Sequence, residues 1–302
     1  MSLYTERHGM RTPIEKTTTI TVEMYSILLS CCEKYYDNLA HLFPEQCSDG
    51  MGYCGLNNFD FQNMLLFEIP TLFRNSNSQI IVPQKNAWQD DEFDQYALLD
   101  FLEYIGQNCR DISVGSFHSY FGHNHITLLE TEDVFETYRN EINNIFKKTG
   151  LLFTLTEEKI VERIVENSAL NAEIEETVRK ISEVGTKELF EKAIILFKQP
   201  HPSARKDAVE KLWDAFERLK TYYGAGKQKS ISAEKIVSDM SNANPAFIKL
   251  FDDEFRALTD IGNNYRIRHH ETNKIDIDDP NHFDYFFNRC LSLIALAIKY
   301  LN

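Results

Sequence analysis

The stretch SARKDAVEKLWDAFERLKTYYG, Ser203–Gly224, shows the clearest helical pattern in the sequence. Its apolar residues recur at helical spacing, so Ala208, Leu212, Ala215, Leu219 and Tyr222 share one face. Gly224 follows the last of them as a typical helix stop. Because an amphipathic helix is stabilised mainly by burying its apolar face, the stretch predicts a helical bundle around it.

The remaining C-terminal sequence supports this bundle. Leu170, Ile174, Val178 and Ile181 form one helical stripe, and a second runs from Phe251 to Tyr265. The last helix is predicted to start at Asp279, an N-cap residue followed by Pro280. Its sequence FDYFFNRCLSLIALAIKYL is apolar on nearly every side. Such a helix is buried on two faces, either at the centre of a bundle or at a dimer contact.

The N-terminal half is also mostly helical by its periodicity, with helices predicted over Thr21–Phe43, Asp91–Gly106 and Glu132–Lys148. The sequence LLFTLTEEKIVERIV then places two runs rich in β-branched residues around a polar turn, which predicts a small hairpin. We therefore expect a mainly α fold. It would have an N-terminal, mostly helical domain ending in a β-hairpin (residues 1–166) and a helical bundle (residues 167–302).

Composition narrows the function. A chain of 302 residues suits two domains, and its formal net charge of −14 argues against a broad nucleic-acid-binding surface. No apolar run is long enough to span a membrane, and the N-terminus lacks the apolar segment of a signal peptide. Because no secretion signal is seen, the six cysteines are expected to be reduced thiols. We expect a cytoplasmic protein with no membrane partner.

The sequence YRIRHHE, Tyr265–Glu271, gathers two arginines and two histidines at the end of an apolar helical pattern. If the helix continues, His269 lies in its inward stripe; if the helix ends early, these residues cluster in the following loop. A guanidinium can grip a phosphate and an imidazole can move a proton near neutral pH. Together they suffice for RNA cleavage by 2′-hydroxyl attack without a metal. The alternative is structural, because such residues also cap helix ends.

A resemblance supports the first interpretation. The sequence RIRHHE follows SARKDAVEKLWDAFERLKT and NEINNIFKKTGLLFTLTEEKIV, and the chain opens with TERHGMR. In this layout the chain resembles the HEPN superfamily and is similar to bacterial abortive-infection proteins of the AbiJ type. The resemblance implies a HEPN-like bundle, a homodimer formed through the C-terminal helix, and a metal-independent ribonuclease of a phage-defence or toxin type.

The resemblance also implies roles for residues. His269 would act as the acid or base, Arg268 would hold the scissile phosphate, and Arg266 and His270 would assist. Three residues separate Arg266 from His270, a closer spacing than is usual in the superfamily. No cofactor or metal is expected, and RNA is the expected partner. A non-catalytic binding or dimerisation module, with a structural Arg/His cluster, is the alternative.

Basic residues become frequent between residues 198 and 229, which marks this stretch as the best candidate surface for an RNA backbone. Lys206 and Lys211 are its candidate substrate-binding residues. The resemblance adds Asp214, with Glu210 as the alternative, because HEPN sites often recruit an acidic residue from a neighbouring helix to orient a histidine. The alternative for these charged residues is an ordinary solvated face.

The sequence FHSYFGHNH places His118, His123 and His125 close together, with Glu130 nearby. Three imidazoles and a carboxylate can bind zinc. Their spacing matches no known template, and the aromatic neighbours suit a packed loop, so we expect a structural role here. A metal-dependent enzyme that uses this loop stays open as a third hypothesis.

Overall fold

The computed structural model describes residues 4–8, 10, 14–84, 91–165, 168–224, 228–267 and 273–301. Backbone contacts divide the chain into two compact units, Met1–Ile164 and Val165–Asn302. Helices predominate over strands, so the prediction of a mainly α fold with a small hairpin is confirmed. Among the described residues, no helix combines the length and the apolar character needed to cross a membrane.

The first unit combines helices with two antiparallel sheets. Its helices are α1 (Tyr4–Arg7), α2 (Val22–Glu33), α3 (Asn58–Glu68), α4 (Gln95–Asn108) and α5 (Val134–Thr149), with a 3-10 helix η1 (Tyr36–Leu39). Its strands are β1 (Pro44–Gln46), β2 (Tyr53–Leu56), β3 (Ile112–His118), β4 (His123–Leu128), β5 (Phe153–Leu155) and β6 (Val161–Arg163). The predicted hairpin in LLFTLTEEKIVERIV is confirmed as β5–β6.

A four-stranded sheet of order β1-β2-β4-β3 is the main feature that the sequence did not predict. The stretch around His118–His125 was read as a loop, but it forms β3, β4 and their turn. Its alternation is weak because Val114 and Phe117 are exposed, whereas Ile126 is buried. A sheet that buries so few of its side chains shows little period-two signal in its sequence.

The helix predicted over Thr21–Phe43 is shorter than expected, because α2 ends at Glu33 and η1 follows. Contacts with the sheet region explain the break. The Asp37 carboxylate accepts a hydrogen bond from the Leu56 amide at 3.2 Å, and the Asn38 carbonyl accepts one from the Arg110 amide at 2.9 Å. A continuing helix would use that carbonyl within itself, so tertiary contacts override the local preference.

The β3–β4 hairpin is fixed to α5 through Asp111. The carboxylate of Asp111 accepts hydrogen bonds from the amides of Asp133 at 2.9 Å and Val134 at 2.7 Å. It thus supplies the N-terminal cap that the side chain of Asp133 itself does not provide. The side-chain hydrogen bond from Thr131 contributes most to the lowered pKa of Asp111, and the bonds from these two amides add to it. All of them favour the ionised carboxylate. The hairpin therefore has a rigid base.

Among its described residues, the second unit consists of helices and connecting loops, with one isolated bridge between Tyr265 and Ile275. Its helices are α6 (Ala172–Arg179), α7 (Val184–Lys198), α8 (Pro202–Leu219), α9 (Lys229–Met240), α10 (Pro245–Asn264) and α11 (Pro280–Ile298). The rings of Phe197 and Phe287 stack at 3.7 Å between centroids, and Trp213 is almost completely buried. The predicted N-cap is confirmed, since Asp279 accepts a hydrogen bond from the Asn281 amide at 2.8 Å.

Helix α11 is buried largely by its own unit. Nine of its residues are buried, including Phe287, Cys290 and Ile294, and it packs against α8, α6 and α9. The apolar character of this helix on nearly every side is therefore explained by a central place in the bundle.

Candidate functional site

We call Arg266–His270 the Arg/His segment. It begins just after the end of α10 at Asn264. Tyr265 adopts an extended conformation, so the helix does not continue and Arg266 lies in the following loop. The predicted catalytic residues Arg268, His269 and His270 lie outside the described residues. Of the four predicted catalytic residues, the structure therefore describes Arg266 alone, together with the chain on either side of the segment.

The backbone on both sides of the segment is held together. The Arg266 amide donates to the Ile275 carbonyl at 2.8 Å, and the Ile275 amide donates to the Asn264 carbonyl at 2.9 Å. The next side chain, Ile267, is 1% exposed and belongs to the core of the unit. This bridge and the buried isoleucine fix the chain where the Arg/His segment begins.

Close packing of α10 on α8 fixes the end of α10 as well. Gly262 faces the indole of Trp213, and a Cβ atom added there would lie 2.6 Å from Nε1. The same Nε1 donates to the Leu258 carbonyl at 3.2 Å. Tyr265 then packs on Phe286 of α11, with 5.5 Å between ring centroids. Glycine at position 262 therefore leaves room for the Trp213 indole against the last turn of α10.

Arg266 is partly neutralised. Its Nη1 lies 2.5 Å from Oδ1 of Asp276, and its side chain is 30% exposed. Asp276 therefore orients the Arg266 guanidinium at the start of the segment.

The predicted substrate-binding residues lie on α8. Lys211 Nζ is 3.4 Å from both the Glu210 and the Asp214 carboxylates. Burial lowers the pKa of Lys211, but these carboxylates outweigh it and leave the pKa raised. Asp214 is therefore an ion-pair partner of Lys211, and Lys206 is half-buried on the same helix.

Most of the basic stretch around α8 is paired with carboxylates in the same way. Arg218 contacts Glu183 at 2.7 Å, and Lys229 contacts Glu217 at 2.7 Å. Lys198, Arg205 and Lys220 also contact carboxylates, those of Glu175, Asp284 and Glu217. Paired cations attract a phosphate less strongly than free ones, so the described part of the basic stretch carries less available positive charge than its sequence indicates.

A second cluster of functional side chains lies in the first unit. His123 and His125 lie on β4, and His118 ends β3. Because β4 pairs with β2, the turn between β1 and β2 approaches them and brings Cys47 and Asp49. One ligand atom from each of Cys47, Asp49, His123 and His125 lies within 4.8 Å of the others. We call these four residues with His118 the His–Asp–Cys cluster.

Asp49 is the centre of the cluster. Its Oδ2 lies 2.6 Å from Nδ1 of His118, 3.0 Å from Nε2 of His125 and 3.9 Å from Nε2 of His123. Its side chain is 6% exposed, whereas the imidazoles are more accessible. The Met51 amide donates to Oδ1 at 2.8 Å and is the main cause of the lowered pKa of Asp49. Asp49 is therefore an ionised, oriented carboxylate.

Two imidazoles direct Nε2 towards this carboxylate. Nδ1 of His125 lies 2.9 Å from the Met51 carbonyl oxygen. In the tautomer that carries its proton on Nδ1, His125 donates to this carbonyl and Nε2 keeps a free lone pair. Nε2 of His123 is buried and has no hydrogen-bond partner in the part of the chain that the structure describes. The Phe121 ring stacks on His123 with 6.0 Å between ring centroids.

The sulfur in the cluster belongs to Cys47. It is 4% exposed, and the turn is closed by a hydrogen bond from its amide to the Gly52 carbonyl at 2.9 Å. Burial and the neighbouring Cys54 thiol raise the pKa of Cys47 to about 11. The thiol is therefore protonated at neutral pH unless a cation stabilises the thiolate.

The sequence pattern indicates the histidines of this cluster but not Cys47 and Asp49. It predicts Glu130 as the nearby carboxylate, whereas Asp49 occupies that place in the described structure. The thiol and the carboxylate in the stretch CSDGMG at Cys47–Gly52 are the only signal that the sequence offers for these two residues. Only the pairing of β2 with β4 shows that this turn faces the histidines.

Comparison with known families identifies the chain. The profile of the AbiJ N-terminal domain 4 matches residues 2–180, more than half of the sequence. The match covers the first unit and ends just after α6. No significant match is found among curated proteins or among solved structures. The chain belongs to the AbiJ N-terminal domain 4 family, which links it to abortive infection.

Proposed function

We propose that this protein is an abortive-infection effector whose second unit cleaves RNA at the Arg/His segment without a metal ion. The observation that carries the proposal is the run Arg266, Arg268, His269 and His270, which starts where α10 ends on a fixed backbone bridge. Membership of the AbiJ N-terminal domain 4 family supports the biological setting. The HEPN resemblance supports the type of chemistry.

The proposed chemistry needs two kinds of group. An imidazole, which we assign to His269, takes the proton of a ribose 2′-hydroxyl or returns one to the leaving 5′-oxygen. The 2′-oxygen then attacks the phosphorus, and the bond to the 5′-oxygen breaks. A guanidinium, which we assign to Arg268, neutralises the charge that builds on the phosphate. Arg266 and His270 assist in this scheme.

Recognition of RNA would be local in this proposal. The chain carries a formal net charge of −14, and most basic residues around α8 already contact carboxylates. Lys206 and Lys211 would contact the RNA backbone only as additions to the Arg/His segment. Lys211 would have to share its ammonium group between Asp214 and a phosphate.

The proposal keeps a homodimer with its contact on the C-terminal helix, as the resemblance implies. The buried face of α11 is used within the unit, so a second copy would have to bind exposed residues such as Tyr285, which is 57% exposed. Light scattering over a range of concentrations would give the oligomeric state.

The direct test is cleavage of transfer RNA and total RNA by the purified full chain in EDTA. We expect cleavage by the wild type and a loss of at least about a hundredfold in Arg268→Ala/His269→Ala, because general acid–base catalysis alone contributes about 10²–10⁴. Arg256→Ala/His282→Ala is the matched control. It removes the same residue types from exposed positions of the same unit and should leave cleavage unchanged.

Two outcomes would contradict the proposal. Intact RNA with wild type and variants alike would favour the non-catalytic binding or dimerisation module. Equal cleavage by the wild type and Arg268→Ala/His269→Ala would show that the active residues lie elsewhere.

A further inference from the structure

We propose that Cys47, Asp49, His123 and His125 bind one zinc ion in the first unit, with His118 positioning Asp49. The inference rests on the geometry of the His–Asp–Cys cluster and is independent of the proposed ribonuclease activity. It replaces the expectation that the chain binds no metal.

The donor set selects the class of metal. A cysteine sulfur and two imidazole nitrogens are poor ligands for magnesium or calcium, which prefer oxygen. Zinc accepts sulfur, nitrogen and carboxylate oxygen together and usually takes four protein ligands in a structural site. Cys47, Asp49, His123 and His125 supply one atom each. The cluster therefore has the number and type of ligands that zinc requires.

The distances agree with this assignment. Zinc bonds of about 2.0–2.3 Å place tetrahedral ligand atoms roughly 3.3–3.8 Å apart. The four ligand atoms of the cluster lie within 4.8 Å of one another. A contraction of about one ångström at the widest pair, which side-chain rotation can provide, would close the site.

The groups around the ligands are arranged as in known metal sites. Histidine ligands usually donate their second ring N–H to a carbonyl or carboxylate, which orients the ring. Nδ1 of His125 contacts the Met51 carbonyl in this way, and Nδ1 of His118 contacts Asp49 Oδ2 at 2.6 Å. These contacts leave His125 Nε2 directed into the cluster and hold Asp49 in place.

His123 supplies the second, independent observation. Within the described residues, its Nε2 is buried and makes no hydrogen bond, and Oδ2 of Asp49 lies 3.9 Å away. A buried polar atom without a partner is unfavourable and therefore uncommon in native structures. A metal ion between Nε2 and Asp49 would satisfy both atoms.

The ligands come from two places in the sequence, Cys47–Asp49 and His123–His125. The first pair lies in the β1–β2 turn and the second on β4. Within the described sheet, β2 and β4 are joined by a single paired position, Tyr53 with Ile126. A zinc ion would therefore cross-link the β1–β2 turn to the β3–β4 hairpin. This role is structural and would stabilise a sheet that buries few side chains.

The test is zinc binding by the full chain, produced without a histidine tag and freed of metal by chelation. We expect one equivalent of zinc, and a rise in Tm when zinc is added back. His123→Ala and His125→Ala should each weaken binding by at least about a hundredfold, while His118→Asn should weaken it by about 10–100-fold, the range for partners outside the ligand shell. His282→Ala, an exposed histidine in the second unit, should bind like the wild type.

Cobalt(II) in place of zinc tests the sulfur ligand without relying on the stability of any histidine variant. A thiolate-to-cobalt charge-transfer band should appear with the wild type, persist in Cys54→Ser and vanish in Cys47→Ser. Absence of stoichiometric binding by the wild type would overturn the proposal. So would equal zinc affinity of His123→Ala and His282→Ala, and a band lost in Cys54→Ser would overturn the assignment of Cys47.

Discussion

In the second unit, the candidate residues Arg266–His270 are consecutive in the sequence, whereas the first unit assembles its cluster from two segments across a sheet. The Arg/His segment is visible in the sequence as a motif, and the backbone on both sides of it is fixed. The His–Asp–Cys cluster becomes visible only when β2 pairs with β4. A sequence motif therefore reveals a site whose residues lie in one segment, but it misses a site whose residues are brought together by the pairing of distant strands.

The helical bundle of the second unit and the four-stranded sheet of the first unit also differ in what holds them together. The second unit is stabilised by packing of large side chains such as Trp213, Phe197 and Phe287. The sheet of the first unit buries few side chains and relies on hydrogen bonds such as those of Asp111 and, in our proposal, on zinc. The following predictions, from the largest expected effect to the smallest, test what stabilises each unit and which groups contact RNA.

The largest stability effect is expected from Trp213→Ala. The side chain is 1% exposed and lies under α10, so its removal should lower the free energy of unfolding by about 3–5 kcal/mol. Urea unfolding of the full chain, followed by circular dichroism, measures the loss. Trp213→Phe retains most of the volume and should lose less. Zinc affinity should be unchanged, because the cluster lies in the other unit; a change in it would contradict the separation of the two modes.

A smaller effect is expected from Gly150→Ala, at the end of α5. Gly150 has a φ of 79°, and a Cβ atom there would lie 2.3 Å from the Glu15 carbonyl oxygen. The left-handed conformation alone costs about 1–2 kcal/mol for a residue with a Cβ, and the clash adds to it. Gly122→Ala is the control, because Gly122 has a φ of 70° with open space around it. Thermal unfolding should show the greater loss for Gly150→Ala, and equal losses would contradict the clash.

RNA binding should depend weakly on salt if the Arg/His segment makes the main phosphate contacts. The slope of log K against log salt concentration is about −0.7 per phosphate contact for single strands. Two contacts, from Arg266 and Arg268, predict a slope of roughly −1.4. Anisotropy titrations of a cleavage-deficient His269→Ala protein would measure it. A slope several times steeper would show that the basic stretch around α8 binds the backbone after all.

The smallest effect concerns the surface ion pair between Glu183 and Arg218. Hydrogen bonds from Arg218 lower the pKa of Glu183 to about 2, below its ordinary value of 4.5. A depressed pKa stabilises the folded chain above about pH 4.5, and this contribution is lost as the pH falls towards 2. Because both side chains are more than a third exposed, the contribution should be below about 1 kcal/mol. In Glu183→Gln, the free energy of unfolding should depend less on pH between these two values. An unchanged pH dependence would contradict the lowered pKa of Glu183.

Much of the helical architecture follows from sequence periodicity. The stripe in Ser203–Gly224 predicts α8, and Asp279 followed by Pro280 predicts the start of α11. These signals are local, because a helix makes its backbone hydrogen bonds within itself. The β5–β6 hairpin was predictable for the same reason, since its strands are separated by a short turn.

The sheet β1-β2-β4-β3 was not predictable in this way. Its strands β2 and β4 are separated by α3 and α4, and their pairing depends on contacts between distant segments. Exposed side chains such as Val114 and Phe117 also removed the alternation that marks a half-buried strand. The candidate metal site was missed with the sheet, because Cys47 and Asp49 reach the histidines only through it.

The central claim is that RNA cleavage belongs to the Arg/His segment and zinc to the His–Asp–Cys cluster, so that the two can be separated. The most direct test is RNA cleavage by one preparation of the full chain before and after its metal is removed, with metal content measured in parallel. The account predicts that the metal-free protein still cleaves RNA. Cleavage that disappears with the metal and returns with added zinc would contradict it and place the chemistry in the His–Asp–Cys cluster.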